Sequence, residues 1–449
     1  MSASVKVHGM DGQMVQPDWP SLTHNELRIL LARFPALAEP LKIVTVSPRP
    51  LSAAGVVSTR AGKVFVKRHH RTVRDREGLL EEHAFVEHLL GEGASVPRVI
   101  RSASGETAIE IGEWTYEVHE IPKGIDLYDD AISWTPFRTA AHARSAGQEL
   151  ARLHQAAEQF NAPRRKPQPL VASFTIFAEQ DARAALERYL AARPVLAGSN
   201  AVRQSCERAL QLLEPFHAQL RPLLPALGSL WTHNDLHCSN LLWSDAGDGA
   251  SATAIFDFGL ADRTNAVHDI ANAIERNIVG WLQLVADPAH PDDVPVHLDH
   301  LGALLTGYDS VRALSNEEAA ALSAMTALCH AEFALSEAEY FLGILHSEEK
   351  APMAYDGWLV GHAQWFYSAA GIKLLDAIQR WAASRIGIFC NGVIVWSGDR
   401  RQRFRGCEEL VAQLHNLLDA SLARLVELIE RDVLDPFRLL AASAFDDVE

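Results

Sequence analysis

Between Leu230 and Ala271 the chain sets out oxygen-bearing side chains in an order that suits phosphoryl transfer. His233-x-Asp235 comes first, Asn240 follows five residues after that aspartate, and an apolar run, Ala254-Ile255-Phe256, delivers Asp257-Phe258-Gly259. Asp235 can accept the proton of an attacking hydroxyl. Asn240 and Asp257 offer the hard oxygen donors that Mg²⁺ prefers. The short loop between Asp235 and Asn240 lets both point into one cleft. Asp and Asn are also ordinary turn formers, so either motif alone says little. Together, in this order, they ask for a phosphate-holding half upstream.

Ile43 to His70 supplies it. Ile43–Val46, Val56–Arg60 and Lys63–Lys67 read as strands, the last two forming a hairpin around Ala61-Gly62. Leu51 to Gly55 is a turn of small residues, where Ser52 and Gly55 would let backbone N–H groups approach a phosphate. Lys67 ends Val64-Phe65-Val66-Lys67, an alternating strand whose inward side would otherwise be apolar, and is the expected phosphate ligand. The following helix, residues 77–91, buries Phe85, Val86, Leu89 and Leu90, and Glu82 borders that face. Glu82 is the expected partner of Lys67, with Glu81 the alternative. Val96–Ile100 and Thr107–Ile121 read as further strands. Backbone groups near His119 and Ile121, where the strand runs into Pro122-Lys123-Gly124, suit reading an adenine edge.

With 449 residues the chain has material for two or three domains and a large core. Its apolar (48%) and charged (22%) fractions are those of a globular protein, and a net charge of −16 argues against nucleic acid or anionic membranes as partners. Five cysteines, Cys206, Cys238, Cys329, Cys390 and Cys407, stand singly, without a C-x-x-C pair, which points to a reducing compartment and away from disulfides or cysteine-ligated zinc. The first residues lack an apolar signal region and no apolar run reaches membrane-spanning length, so a cytoplasmic location and no membrane are expected.

Residues 1 to about 20 read as a loose tail, followed by a helix whose Thr23 and Glu26 have capping-box spacing. From Leu127 the chain is mostly helical, with His154 expected as a packed core histidine. Gly392–Trp396 and Arg401–Arg405 read as paired strands ahead of a helix, Cys407–Glu430. The expected divisions are a tail and leading helix (1–40), a nucleotide-binding sheet plus helix (41–122), a helical region holding the catalytic loop and metal site (123–385), and an appendage (386–449).

These residues carry a family resemblance. Phe65-Val66-Lys67, the Glu82 helix with Val96-Pro97-Arg98-Val99, Ala151-Arg152-Leu153-His154, the His233–Asn240 loop, Asp257-Phe258-Gly259 and Asp269 resemble the aminoglycoside phosphotransferase and choline kinase-like family of small-molecule kinases, over about residues 40–385. Thr306-Gly307-Tyr308 sits where this family often has a Gly-Tyr pair. The resemblance implies an α+β, bilobal protein-kinase-like fold with a small antiparallel β N-lobe and a larger helical C-lobe; the β-β-α appendage lies beyond it. It implies ATP or GTP with Mg²⁺, Asp235 acting on the acceptor hydroxyl, Asn240 and Asp257 holding Mg²⁺, and Lys67, steered by Glu82, on the phosphates. His233 and Asp269 would brace the catalytic loop. Departures are H-N-D in place of H-R-D, no A-P-E landmark, and His237-Cys238 where His-Pro is common. The first two point to a small-molecule hydroxyl rather than a protein acceptor. A cationic acceptor would need an acidic wall; Glu332, Ser336 and Glu339, at helical spacing, are candidates, a solvated helix face being the plainer reading. A non-catalytic nucleotide-binding regulatory module is the competing class. No protein partner is indicated.

Overall fold

The computed structural model describes residues 6–9, 12–37, 39–385, 394–397 and 400–403. Two compact units divide it, Met1–Arg380 and Trp381–Glu449. The first begins with β1 (Val7–His8) and β2 (Met14–Val15), then α1 (His24–Leu31), β3 (Pro40–Val46), β4 (Ala53–Thr59), β5 (Gly62–His70), α2 (Arg76–Gly91), β6 (Ile109–Ile111) and β7 (Trp114–Glu120). Helices α3 (Ala140–Ala157), α4 (Ala182–Ala191), α5 (Pro194–Ala197) and α6 (Asn200–Leu220) follow. Four short strands come next: β8 (Ser229–Thr232), β9 (Leu241–Trp243), β10 (Ala252–Ile255) and β11 (Asp262–Asn265). The chain continues through α7 (Ala266–Ile278), α8 (Trp281–Ala286), α9 (Leu298–Asp309), α10 (Asn316–Leu328), α11 (His330–Glu339), α12 (His362–Trp365) and α13 (Ala369–Arg385). This is the expected mixed architecture, an antiparallel sheet in the N-terminal region and helices after it.

The sheet has the order β3-β4-β5-β7-β6, all antiparallel. Period-2 alternation decides its two faces. Val57, Val64, Val66 and Val118 face α1, where Leu27, Leu30, Leu31 and Phe34 close an apolar cluster. The Thr23–Glu26 capping box that starts α1 is present. Phe65, Lys67 and His69 alternate onto the opposite face, across from His119, Glu117 and Thr115. That face is polar, whereas the sequence suggested an apolar one.

Three other expectations are corrected. Val96–Ile100 is not a strand but an irregular segment with a single bridge, Val99 to His119; Pro97 cannot donate to a ladder. Ala53 to Gly55 belong to β4, so the turn is shorter than read. Described residues before 20 are tied down rather than loose: Val7 is buried, Trp19 stacks on His70 with ring centroids 4.8 Å apart, and Asp18 accepts from Lys350 at 2.7 Å.

In the helical region, α3 packs closely on α9 because both carry glycine at the contact. A Cβ on Gly147 would collide with the Leu304 carbonyl, and one on Gly307 with that of Arg144. This brings Tyr308 beneath His154. A continuous helical stretch, Asn316–Ile344, has the length and apolarity of a membrane span, but 94% of its 18-residue apolar window is buried inside the protein. In the second unit, β12 (Ile394–Ser397) and β13 (Arg400–Arg403) pair antiparallel, as the sequence suggested. The expected helix Cys407–Glu430 lies outside the described residues.

Candidate active site

Two small antiparallel pairs hold the chemistry-bearing loops. β8 pairs with β11, Thr232 opposite Asp262, and β9 pairs with β10, Leu241 opposite Ile255. His233 to Asn240 therefore leaves one pair and enters the other, while Phe256 to Ala261 makes the reverse passage. Phe256 N–H donates to the Asn240 carbonyl at 3.0 Å, which sets Asn240 beside Asp257. Asn234 and Asp257 both adopt a left-handed backbone, φ 62° each. Such strain in non-glycine residues persists only where surroundings over-determine it.

Here the surroundings are visible. Asp269 has no exposed surface. It accepts the N–H groups of His233 (2.8 Å) and Asn234 (2.7 Å) and faces His154 Nε2 at 2.9 Å. His154 Nδ1 meets the Tyr308 hydroxyl at 2.7 Å. The Asn234 amide donates to the Ala172 carbonyl. His233 Nε2 lies 3.0 Å from the Phe256 carbonyl. On the other loop, Arg74 and Arg165 converge on the Gly259 carbonyl at 2.8 and 3.1 Å.

Lys67, Asp235, Asn240, Asp257 and Ser52 line one cleft. Lys67 Nζ is 2.7 Å from Asp257 Oδ1. Burial opposes charge on both groups, but their mutual attraction wins: the ammonium is pushed up and the Asp257 carboxyl is pulled down to about 2. Both groups are thereby held in their charged forms. Asn240 Nδ2 donates to the Asp235 backbone oxygen at 2.9 Å and to its carboxylate at 3.2 Å. The Asp235 carboxyl is raised by burial, against the pull of Arg276, whose Nε is 2.7 Å away.

The expected Lys67–Glu82 pair is not formed. Glu82 is near enough to favour the Lys67 charge, but its ion pair is with Arg165, 3.8 Å away, as is that of Glu81, at 3.6 Å. Arg165, whose side chain is fully buried and which also binds Gly78 O, takes both helix carboxylates. The residue directly across the sheet from Lys67 is Glu117. Gly55 lies inside β4, where its lack of a side chain makes room for the Thr45 carbonyl of the neighbouring strand. His119 turns toward Glu117, at 2.9 Å, and Ile121 is exposed; neither lines the cleft with Lys67.

Sequence reasoning missed several side chains of this cleft. Arg276, in the last turn of α7, flanks Asp235. Arg49 Nη2 donates to Ser239 Oγ at 2.7 Å, linking the β3–β4 loop to the catalytic loop. Phe333 and Glu337 come from α11. Glu337 is 1% exposed, and neither carboxylate oxygen has a hydrogen-bond partner among the described residues. The acidic wall proposed from sequence fails: Glu332 accepts the N–H groups of Thr175 and Ile176 (2.6 Å), Ser336 accepts that of Val171, and Glu339 pairs with Arg193 at 3.1 Å. Glu332 and Ser336 do share a face of α11, but it turns toward residues 171–176; among the α11 carboxylates it is Glu337, on another face, that lines the cleft.

A family model described as the phosphotransferase enzyme family matches residues 55–314. The chain belongs to this family. It is a small-molecule kinase, a phosphotransferase with an alcohol group as acceptor. Homoserine kinase of Methylobacterium radiotolerans is 25% identical over 310 residues, which span 68% of this chain and 84% of that protein. Similar solved structures include an amicoumacin kinase in complex with AMP-PNP, Ca²⁺ and Ami (14% identity, TM-score 0.48, 76% of this chain and 96% of that one). Another is a microcompartment-associated aminopropanol kinase (17% identity, TM-score 0.49, 77% and 99%).

Proposed function

We propose that this phosphotransferase moves the terminal phosphoryl group of ATP or GTP to the hydroxyl of a small acceptor that also carries an ammonium group. The observation that carries the reading is the convergence of Lys67, Asp235, Asn240 and Asp257 on one cleft that is also lined by Glu337, whose carboxylate has no hydrogen-bond partner among the described residues. The homoserine kinase relative supports the acceptor class, because homoserine joins a hydroxyl to an ammonium and a carboxylate.

Asp235 accepts the acceptor's hydroxyl proton, and Arg276 and Asn240 fix its carboxylate while it does so. Its raised pKa brings it closer to the range useful in a general base. Lys67 moves from Asp257 to the phosphates when nucleotide binds. The Asp257 carboxylate and the Asn240 amide oxygen would hold Mg²⁺, whose preference for hard oxygen donors they meet. Bound there, Mg²⁺ would neutralise phosphate charge. Glu337, with Trp134 and Phe333 beside it in the cleft, would receive the ammonium, and Arg276 would favour an acceptor bearing a carboxylate as well.

The test pairs two variants. Asp235→Asn should bind Mg²⁺-nucleotide as the parent does yet transfer phosphate to homoserine or an amino alcohol at least ~100-fold more slowly. Asp257→Asn should lose Mg²⁺-dependent nucleotide binding itself. Equal binding losses in both variants, or full activity in Asp235→Asn, would refute the roles.

A further inference from the structure

The polar face of the sheet holds a second group of convergent ligand atoms, separate from the carboxylate–amide pair of the cleft. Glu117 and His119 stand two residues apart on β7 and so share a face. His83 reaches them from α2. Its Nε2 and that of His119 both lie 2.9 Å from the same carboxylate oxygen, Glu117 Oε2. One ligand atom from each of the three residues lies within 4.8 Å of those of the other two. His69 Nε2 approaches the other oxygen, Oε1, at 3.2 Å. The group is sealed: Glu117 and His83 are 1% and 4% exposed, and the 14% exposure of the His119 side chain is the opening to solvent.

Two features separate this from a chance polar contact. First, the second nitrogen of His83 is engaged: Nδ1 meets Thr107 Oγ1 at 2.9 Å. A hydrogen bond there holds the ring and aims Nε2 at the carboxylate, the outer-shell arrangement metal-ligating histidines use, and the hydroxyl can serve either tautomer. Second, the ligands come from different elements. Glu117 and His119 belong to the sheet and His83 to α2, so a bound ion would clamp the helix to the strand that lies directly across from Lys67.

We infer that His83, Glu117 and His119 form a site for a divalent first-row transition ion of the Zn²⁺ type, with His69 orienting the carboxylate. Two imidazoles and one carboxylate suit Zn²⁺, which takes both donor types, and fit Mg²⁺ poorly. Each imidazole nitrogen that now faces Glu117 gives up its proton or takes the other tautomer to ligate, so binding releases protons and weakens in acid. Lys67 and Arg74 nearby oppose a further cation; Asp257, 2.7 Å from Lys67, offsets the first of them.

The experiment titrates the metal-stripped full-length protein with Zn²⁺ by calorimetry, and with Co²⁺ by visible absorption, in excess Mg²⁺. Mg²⁺ competes at the carboxylate–amide pair and not at imidazoles. One Zn²⁺ per chain is expected, with a Co²⁺ ligand-field band, and Zn²⁺ should raise the Tm. His119→Ala, at the most exposed ligand, should abolish all three responses while nucleotide binding persists. Thr107→Val keeps the ligands and should weaken Zn²⁺ about 10- to 100-fold. Absence of stoichiometric binding in Mg²⁺, or binding that survives His119→Ala and His83→Ala, would overturn the inference. Should His83→Ala fail to fold, His119→Ala and Thr107→Val decide it.

Discussion

Asp269→Asn isolates what one buried carboxylate does for the catalytic loop. Asp269 Oδ1 accepts from Asn234 N–H at 2.7 Å, and Oδ2 from His233 N–H at 2.8 Å and His154 Nε2 at 2.9 Å. Asparagine keeps the size but has one acceptor oxygen. With its NH₂ toward Asn234, one backbone N–H loses its partner. With the NH₂ reversed, His154 can change tautomer, since the Tyr308 hydroxyl on its other nitrogen can accept or donate, but His233 N–H cannot. Either way a charge-assisted bond is lost and a buried N–H is orphaned, a cost of about 3 kcal/mol. An unfolding entropy of roughly 2.1 cal/mol/K per residue over the unit Met1–Arg380 gives about 0.8 kcal/mol/K, hence a fall in Tm of about 4 °C at pH 7. The pH dependence has a definite sign. Burial tends to raise the Asp269 carboxyl, but the bonds from His154 and His233 pull it below its ordinary value. Its contribution is complete above the unfolded carboxylate range and drains away as pH falls through the lower folded value. Melts of parent and variant, recorded from pH 7 down to about pH 3, should therefore converge in acid. A Tm shift under about 1 °C at pH 7, or a gap that stays constant into acid, would refute the account.

Three further outcomes are expected. Lys67→Ala should leave the fold intact and cut kcat by about 100-fold or more, measured as ADP release; unchanged turnover would make Lys67 a structural partner of Asp257 only. Glu337 is held well above the ordinary carboxylate range by burial, with Arg276 pulling the other way, and an ammonium acceptor binds its ionised form. The acceptor KM should therefore rise as pH falls through that raised value. Glu337→Gln should raise KM for the amino acceptor by about tenfold or more and remove this slope, while the KM for a deaminated alcohol is unaffected. Gly307→Ala drives a methyl group into the Arg144 carbonyl and should destabilise by roughly 3 kcal/mol, read as a lower Tm; a neutral result would mean that α3 and α9 can separate freely.

The family and the layout of the cleft were legible because the loops around Asp235 and Asp257 are local. Each side chain there is placed by a turn of a few residues between paired strands, and local spacing survives in sequence. The partner of Lys67 was not legible. Choosing Glu82 rested on helix periodicity, which correctly put Glu82 at the buried face but could not show that Arg165, more than eighty residues later, competes for it. Arg164-Arg165-Lys166 looks like a solvated basic run, yet the Arg165 side chain is fully buried. The same limit hid Glu337. Glu332 and Ser336 share a face of α11 that meets residues 171–176, whereas Phe333 and Glu337, one residue or about 100° further round, line the cleft; spacing alone does not say which face looks inward.

The Val64-Phe65-Val66-Lys67 alternation misled in an instructive way. Period 2 says only that Lys67 and the valines face opposite sides; it does not say which side is apolar. The valines pack on α1, and Lys67 shares its face with His69, Glu117 and His119. A lysine on an apolar wall would need one strong partner to remain charged. On this polar face Asp257, Glu117 and Glu82 all favour its charge against burial. In the proposed role, Glu117 and Glu82 would still offset its burial once Lys67 leaves Asp257 for the phosphates. Glu117 is the closest of these across the sheet, and it is also the carboxylate shared by three histidines. A cation drawn to those histidines would compete with Lys67 for the same negative charge, so occupancy of the imidazole group and the position of Lys67 are electrostatically linked.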